Sequence, residues 1–238
     1  MATKQSSGVD AWLELETDHI RKALESASLH FDGNDNLTVN TLEAVYAQES
    51  SFGSGSFLGK RGSVEAAGHF QFKPDTAKRY GLNVTKNNDQ RFNIDYASSV
   101  AARYLKDLDT FFSKNTTLIG ESKTVGVKNP LERKKFVLGA FNAGEGHITK
   151  AQNLAEKAGK NPQLWTDVEK FLELAGAKKS TADEARQYVE NVPLNEAEFA
   201  IKSIVDKNIK QKEPRKEKYR CTEGHWVTID DRHVFICD

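Results

Sequence analysis

Apolar residues recur every three or four positions along most of this chain, the spacing typical of amphipathic helices. A period of two appears only near the C-terminus. The pattern therefore predicts a mainly helical protein with a small β-hairpin appendage. The predicted helices cover Val9–Leu29, Asn40–Glu49, Lys73–Tyr80, Ile94–Phe112, Leu131–Phe141, His147–Lys157, Gln163–Leu174, Ala182–Glu190 and Asn195–Ile209.

The second predicted helix carries a charge on its apolar face. Asn40 can cap this helix, and Glu43, three residues later, completes a pattern like a capping box. Leu42 and Val45 lie on the apolar face, and the position seven residues after Leu42 is Glu49. A run of serines and glycines then ends the helix.

Two effects are expected to raise the pKa of Glu49. Burial disfavours the carboxylate, and the negative end of the helix dipole disfavours it again in the last turn. A glutamic acid that keeps its proton near neutral pH can serve as a general acid. From this helix alone, a solvated glutamate at the helix edge is the alternative interpretation.

The change of period divides the chain into four predicted segments. Residues 1–36 form an N-terminal helix and turn that pack on the main domain, which covers residues 37–209. Residues 210–218 form a charged linker containing Pro214, and residues 219–238 form the hairpin. The two predicted strands are Trp226–Ile229 and His233–Ile236, separated by Asp230 and Asp231.

The chain has two cysteines, Cys221 and Cys237, at the two ends of the predicted hairpin. A disulfide between them would close a loop of about 15 residues, stabilise it by roughly 3 kcal/mol, and indicate an exported protein. Free thiols in a reducing compartment are one alternative. A small zinc site with His225 and His233 is another, because the spacings are C-x3-H and H-x3-C.

Composition narrows the classes of partner. The 34 basic and 34 acidic side chains balance, so no global charge favours nucleic acid. No apolar stretch approaches the roughly 20 residues that span a bilayer, so we expect no integral membrane segment. Residues 1–10 lack the apolar core of a secretory signal, which indicates that a signal was removed or never present. A monomer is expected.

Four motifs, in order, resemble one known family. They are Gln48–Phe52 (QESSF), Ala66–Pro74 (AAGHFQFKP), Ala140–Gly146 (AFNAGEG) and Ala185–Val189 (ARQYV). Their order and spacing resemble the catalytic domain of the soluble lytic transglycosylases, which has a goose-type lysozyme-like helical fold. The resemblance spans about residues 37–192 and implies an enzyme that cleaves the glycan strands of peptidoglycan.

The resemblance implies a role for five of these residues. Glu49 would act as general acid and then general base, and Ser50 would help to position Glu49 or the acetamido sugar. Gln71 would hydrogen-bond the substrate or Glu49, Asn142 would line the cleft beside the acetamido group, and the Tyr188 hydroxyl would point toward Glu49. Without the motifs, Ser50 could simply end the helix, and Tyr188 could be an ordinary core residue.

Two positions depart from the family pattern. Phe141 stands where the family usually has tyrosine, which removes a hydroxyl but keeps a ring for substrate contact. Glu145 stands where the family often has proline, which puts a second acid near the cleft. That acid is either a solvated loop residue or a group that assists a water molecule.

The implied reaction uses one carboxylate, whereas ordinary glycosidases use two. It would cut the β-1,4 bond between N-acetylmuramic acid and N-acetylglucosamine with help from the substrate's acetamido group, forming 1,6-anhydromuramyl ends without metal or cofactor. The alternatives are a goose-type-lysozyme-like hydrolase and a non-catalytic peptidoglycan-binding relative. The implied location is the cell envelope, the periplasm or the exterior, with a phage-associated protein as a further alternative.

Overall fold

A computed structural model gives the fold and describes residues 8–117, 122–212, 224–229 and 232–237. Helices dominate these residues, which confirms the mainly helical class predicted from the sequence. The helices are α1 Gly8–Leu15, α2 Asp18–Ser28, α3 Val39–Ser50, α4 Pro74–Arg79, α5 Ile94–Phe112, α6 Pro130–Ala143, α7 Glu145–Lys157, α8 Trp165–Val168 and α9 Lys179–Lys212.

The chain divides into two compact units, Met1–Ile201 and Lys202–Asp238. In the second unit, strands β1 (Gly224–Ile229) and β2 (Arg232–Cys237) pair antiparallel, with Gly224 opposite Cys237. Cys221, Asp230, Asp231 and the side chains of His225, His233 and Cys237 lie outside the described part of the chain, and the disulfide and zinc hypotheses lie there with them.

Helix α5 is central to the first unit and begins and ends where the sequence predicts, at Ile94 and Phe112. Asn93 caps it, accepting hydrogen bonds at Oδ1 from the backbone N–H groups of Asp95 and Tyr96. The helix contacts α2, α3 and α6. Its buried apolar face includes Ala97, Ala101, Leu105, Leu108 and Phe112.

The prediction of one long N-terminal helix is wrong, because α1 ends at Leu15 and α2 begins at Asp18. Thr17 caps α2 and accepts a 3.2 Å hydrogen bond from the Ile20 N–H. A residue whose side chain caps the next helix has left the helical conformation.

The predicted cap of the second helix is also wrong by two residues. Thr38, rather than Asn40, precedes α3 and accepts a hydrogen bond from the Thr41 N–H at 3.3 Å. The Thr41 hydroxyl accepts from the Thr38 N–H at 2.9 Å, so two threonines form the capping box.

Two predicted helices near the C-terminal end of the domain are one continuous helix. Helix α9 runs through Pro193, although proline in a helix interior costs about 3 kcal/mol. Burial of Val192 and Phe199 on either side of the proline keeps both halves packed on the core. The linker predicted to start at residue 210 is helical as far as Lys212.

The helix predicted at Gln163–Leu174 is shorter. The Trp165 N–H is bound to Glu132 Oε1 at 2.7 Å, so helix α8 begins there, and a 3-10 turn follows at Glu169–Phe171. Among the described residues, no helix is both long and apolar enough to cross a bilayer.

Candidate active site

Helix α3 ends abruptly just after Glu49. Ser51 and Phe52 follow with φ values of +46° and +58°, and Gly53 continues with +75°. Left-handed backbone is uncommon for residues other than glycine and clusters at functional turns. The chain therefore leaves the helix sharply, and Glu49 stands in its last turn.

Ser50 ties this helix end to a second loop. Its buried hydroxyl donates a 2.7 Å hydrogen bond to the carbonyl of His69 and accepts a 3.1 Å bond from the Gly53 N–H. This placement suits a residue that positions its neighbour Glu49. A direct contact with a sugar needs an exposed hydroxyl, which Ser50 lacks.

Glu49 is partly buried and has one direct side-chain partner among the described hydrogen bonds. The Tyr188 hydroxyl donates to Glu49 Oε1 at 2.8 Å. Burial raises the pKa of Glu49 to about 8; the Tyr188 hydrogen bond opposes that rise, and the carboxylate of Glu184 adds to it. A carboxyl group with this pKa is mostly protonated at neutral pH.

Tyr188 approaches Glu49 from helix α9. Burial raises the pKa of Tyr188 well above its ordinary value, so the hydroxyl stays protonated and acts as a donor. Glu184 lies one helical turn earlier on the same side of α9 and is exposed. Sequence reasoning missed Glu184, although its spacing of four residues from Tyr188 could have indicated it.

Phe141 and Asn142 lie in the last turn of α6. The Phe141 ring stacks on the Tyr188 ring at 6.4 Å and contacts the Tyr104 ring at 5.3 Å between centroids. Asn142 donates from Nδ2 to Glu184 Oε1 at 3.3 Å. Asn142 Oδ1 is buried without a hydrogen-bond partner among the described residues, and such a polar atom is a candidate for function.

Gln71 lies on a tight turn between Ala67 and Phe72 and has a φ of +45°. Its Nε2 donates to the carbonyls of Phe57 at 2.8 Å and Gly68 at 2.7 Å. The amide nitrogen is therefore committed to the loop, and Oε1 is the group that can meet a ligand. No hydrogen bond between this side chain and Glu49 is among the contacts of the described residues.

A buried ion pair fixes the turn that carries Gln71. Arg91 and Asp89 are buried, and Arg91 Nη2 lies 2.7 Å from Asp89 Oδ2. The guanidinium also donates to the carbonyl of Phe72 at 2.9 Å. No sequence pattern predicts this anchor, because Asp89-Gln90-Arg91 looks like an ordinary polar loop.

Glu145 is the first residue of α7 and is ion-paired. Its Oε1 accepts from Arg79 Nη1 at 3.0 Å, and its Oε2 accepts from the Tyr104 hydroxyl at 3.0 Å. Burial would raise the pKa of Glu145, but hydrogen bonds from its own N–H, from Arg79 and from Tyr104 together lower it. Glu145 is thus an ionised, bonded carboxylate and not a solvated loop residue.

A separate cavity of about 480 Å³ lies at the other end of α3 and α6, lined in part by Thr38, Leu131 and Pro193. Two of its charged groups bind each other, since Lys134 Nζ donates to Glu196 Oε1 at 2.6 Å, and Lys135 pairs with Glu132. Within the described residues, no group of three or more His, Cys, Asp or Glu side chains could hold a metal ion.

Comparisons with known proteins identify the family. A family model described as the transglycosylase SLT domain matches residues 31–164, more than half of the chain. The match includes Glu49, Gln71, Phe141 and Asn142 and ends before Tyr188.

Three curated relatives carry one name. The membrane-bound lytic murein transglycosylase F of Pseudomonas fluorescens is 29% identical over 157 residues, which are 65% of this chain and 28% of the relative. The protein of that name from Salmonella typhi is 31% identical over 132 residues, 49% of this chain and 25% of the relative. The protein of that name from Marinobacter nauticus is 46% identical over 48 residues, which are 20% of this chain and 10% of the relative.

The chain spans less than a third of the length of these relatives. The match to the family model nevertheless covers more than half of this chain. The protein therefore belongs to the transglycosylase SLT domain family.

Proposed function

We propose that this protein is a peptidoglycan lytic transglycosylase that uses Glu49 as its single acid/base. The hydrogen bond from Tyr188 to a partly buried Glu49, whose pKa burial raises to about 8, is the observation that carries the proposal. Membership of the SLT family and the names of the curated relatives support the substrate class.

The hydrogen bond supports different tasks for the two oxygens of Glu49. Because Tyr188 donates to Oε1, the proton of the acid form resides on Oε2. Oε2 would then face the glycosidic oxygen as the proton donor. A tyrosine that donates but stays protonated also stabilises the carboxylate formed after proton transfer.

The reaction begins when Glu49 gives its proton to the oxygen that joins C1 of N-acetylmuramic acid to N-acetylglucosamine. The C1–O bond breaks, and the acetamido oxygen of the muramyl residue attacks C1 and takes up the positive charge. Glu49, now a carboxylate, removes the proton of the muramyl 6-hydroxyl. O6 displaces the acetamido oxygen from C1, which forms the 1,6-anhydro ring and restores the acid form of Glu49.

The neighbouring side chains support this one-carboxylate route. Both oxygens of Glu145 are already bonded, so this acid is poorly placed to act as nucleophile or base. Oδ1 of Asn142, which has no hydrogen-bond partner in the described part of the chain, would accept from the acetamido N–H, and Oε1 of Gln71 would accept from a sugar hydroxyl. Phe141 would contribute its ring to the cleft wall.

A second candidate is a hydrolase that delivers water to C1. The exposed carboxylate of Glu184, which helps to raise the pKa of Glu49, favours this candidate because it could activate a water molecule. Glu184 is, however, engaged with Asn142 Nδ2. The anhydro route therefore remains our proposal.

Mass spectrometry of digested sacculi tests the proposal. We expect wild-type protein to release 1,6-anhydromuramyl products, and Glu49→Gln to release none. Glu43→Gln is the matched control, because Glu43 lies on the same helix and burial raises its pKa to about 7. Hydrated muramyl ends would establish the hydrolase instead, and absence of any product with intact binding to sacculi would establish a non-catalytic relative.

The proposed place of action is the cell envelope, where peptidoglycan is found. The name that the relatives carry, membrane-bound lytic murein transglycosylase F, agrees with this location. We propose residues 37–209 as the catalytic domain and the C-terminal hairpin as an accessory element.

A further inference from the structure

The joint between helices α6 and α7 is one residue long. Helix α6 ends at Ala143, Gly144 has a φ of +89°, and α7 begins at Glu145. A Cβ placed on Gly144 would meet no atom within 4 Å, so packing does not hold the glycine itself. Buried residues of α7 begin with Ile148, one turn later. Within the joint, His147 Nδ1 lies 2.8 Å from the carbonyl oxygen of Ala143, which ties this turn to α6 but to no other helix. The first turn of α7 therefore needs a restraint from outside α6 and α7.

The Glu145 carboxylate supplies that restraint. It joins α7 to α4 through Arg79 at 3.0 Å and to α5 through the Tyr104 hydroxyl at 3.0 Å. Arg79 is itself held over the faces of the Tyr80 and Tyr104 rings, with 5.5 Å to each centroid. An ionised carboxylate between a guanidinium and a hydroxyl makes strong, directional hydrogen bonds.

The restrained joint adjoins the proposed cleft. Asn142 and Phe141 lie only three and four residues before Glu145, in the last turn of α6. The hydroxyl of Tyr104 donates to Glu145, and the ring of Tyr104 contacts Phe141, which stacks on Tyr188. A shift of the joint would therefore move the two α6 side chains that face the substrate.

We propose that Glu145 is a positioning residue: paired with Arg79 and Tyr104, it fixes the α6–α7 joint and so places Phe141 and Asn142 for the acetamido sugar. The inference rests on the proposed function for its catalytic consequence. Glu145 does not exchange protons with the substrate. Its hydrogen bonds restrict movement of the α6–α7 joint, as a conformationally rigid residue at position 145 would.

Kinetics on purified sacculi test this role. Glu145→Ala is expected to lower kcat/KM on the order of 10- to 100-fold, because displacement of substrate-positioning groups by about 1 Å has effects of that size. Glu145→Gln keeps an acceptor oxygen and should recover part of the loss. Glu156→Ala, an exposed carboxylate on the same helix, should leave kcat/KM unchanged.

Two further readouts separate positioning from catalysis. Glu145→Gln should leave both limbs of the pH–rate profile in place, whereas loss of a limb would make Glu145 an acid or base and overturn the proposal. Arg79→Leu combined with Glu145→Ala should be little worse than either single variant, because both break one network. Additive losses would contradict the network.

A measurement on the free, full-length protein does not depend on turnover. The side-chain amide resonances of Asn142, assigned with Asn142→Asp, should shift or broaden in Glu145→Ala but not in Glu156→Ala. Unchanged resonances would overturn the positioning role even if the protein cleaves peptidoglycan. Shifted resonances in a protein without any cleaving activity would retain the structural role and reject the proposed function.

Discussion

The hydroxyl of Tyr188 donates a 2.8 Å hydrogen bond to Oε1 of Glu49, joining helix α9 to the end of helix α3. The two residues are 139 positions apart in the chain. This hydrogen bond lowers the pKa of Glu49 against the larger effect of burial. The proton affinity of the proposed catalytic acid thus depends on a contact between the two ends of the domain.

Replacing this tyrosine should move the pH dependence of activity. Tyr188→Phe removes the interaction that opposes burial, so the pKa of Glu49 rises and the basic limb of kcat/KM moves to higher pH. The rate should also fall about 10- to 100-fold, the equivalent of one hydrogen bond to a charged group. Tyr96→Phe, at an exposed tyrosine on α5, is the control. A basic limb that stays in place would show that Glu49 is not the titrating acid.

Glu49 should also make the fold less stable as pH rises. Burial raises its pKa to about 8 from an ordinary value of 4.5, so between these values the folded protein holds a proton that the unfolded chain has lost. The free energy of unfolding then decreases with increasing pH across this window. Glu49→Gln cannot ionise, and at pH 8 it should be more stable than wild type by roughly 1–3 kcal/mol.

Glu43 allows stability to be separated from activity. Burial raises its pKa to about 7, so Glu43→Gln should also be more stable than wild type at pH 8. Urea denaturation at pH 5 and pH 8 measures both effects, and each advantage should shrink toward pH 5. Only Glu49→Gln should abolish cleavage of sacculi. Loss of activity in both variants would point to damage to α3 as a whole.

The sequence located Glu49 because period and motif agree there. The helix that carries it could be read from Leu42 and Val45, and the break after it from a run of serines and glycines. The motifs also led to Tyr188, but its hydrogen bond to Glu49 depends on the path of α9, which continues through Pro193 where two helices were predicted. Tertiary packing determines the path of α9, and local helix propensity does not predict it.

Other parts of the site could not be predicted because their partners are distant in sequence. The pairing of Glu145 with Arg79 spans 66 residues, and the Arg91 guanidinium reaches carbonyls that carry no sequence signal. Taken alone, each of these three side chains is an ordinary polar residue in a loop or at a helix end. Long-range pairing of this kind is fixed by the fold and leaves no periodic pattern.

The buried pair Lys134–Glu196 should be important for stability. Lys134 Nζ also donates to the carbonyl of Asn36 at 3.0 Å and to the Thr41 hydroxyl at 3.3 Å. Lys134→Met would leave the Glu196 carboxylate largely buried without its cation, which should lower the free energy of unfolding by about 3–5 kcal/mol. Lys135→Met, at a more exposed surface pair, should change it by less than about 1 kcal/mol.

Urea denaturation of Lys134→Met, of Lys135→Met and of the double variant Lys134→Met with Glu196→Leu measures these changes in the free energy of unfolding. Removing both charges should recover much of the lost stability, because no buried charge then remains unpaired. A double variant as unstable as Lys134→Met alone would show that shape, and not charge, dominates this site.

Gly68 should be the least replaceable glycine of the loop that carries Gln71. Its φ is +84°, and a Cβ there would lie 2.1 Å from the carbonyl oxygen of Arg91, far inside contact distance. Gly81 has a similar φ of +87° but open space around it. Gly81→Ala therefore measures backbone strain alone, which is about 1–2 kcal/mol for a left-handed residue.

Gly68→Ala adds a backbone collision to the same strain, so it should destabilise the protein clearly more than Gly81→Ala does. It should also displace the turn that holds Gln71 and lower kcat/KM, while Gly81→Ala should leave kcat/KM close to wild type. Thermal unfolding and cleavage of sacculi measure the two effects. Equal losses of stability in both variants would mean that the loop moves away from Arg91 easily, and that the buried Arg91–Asp89 pair does not fix the turn.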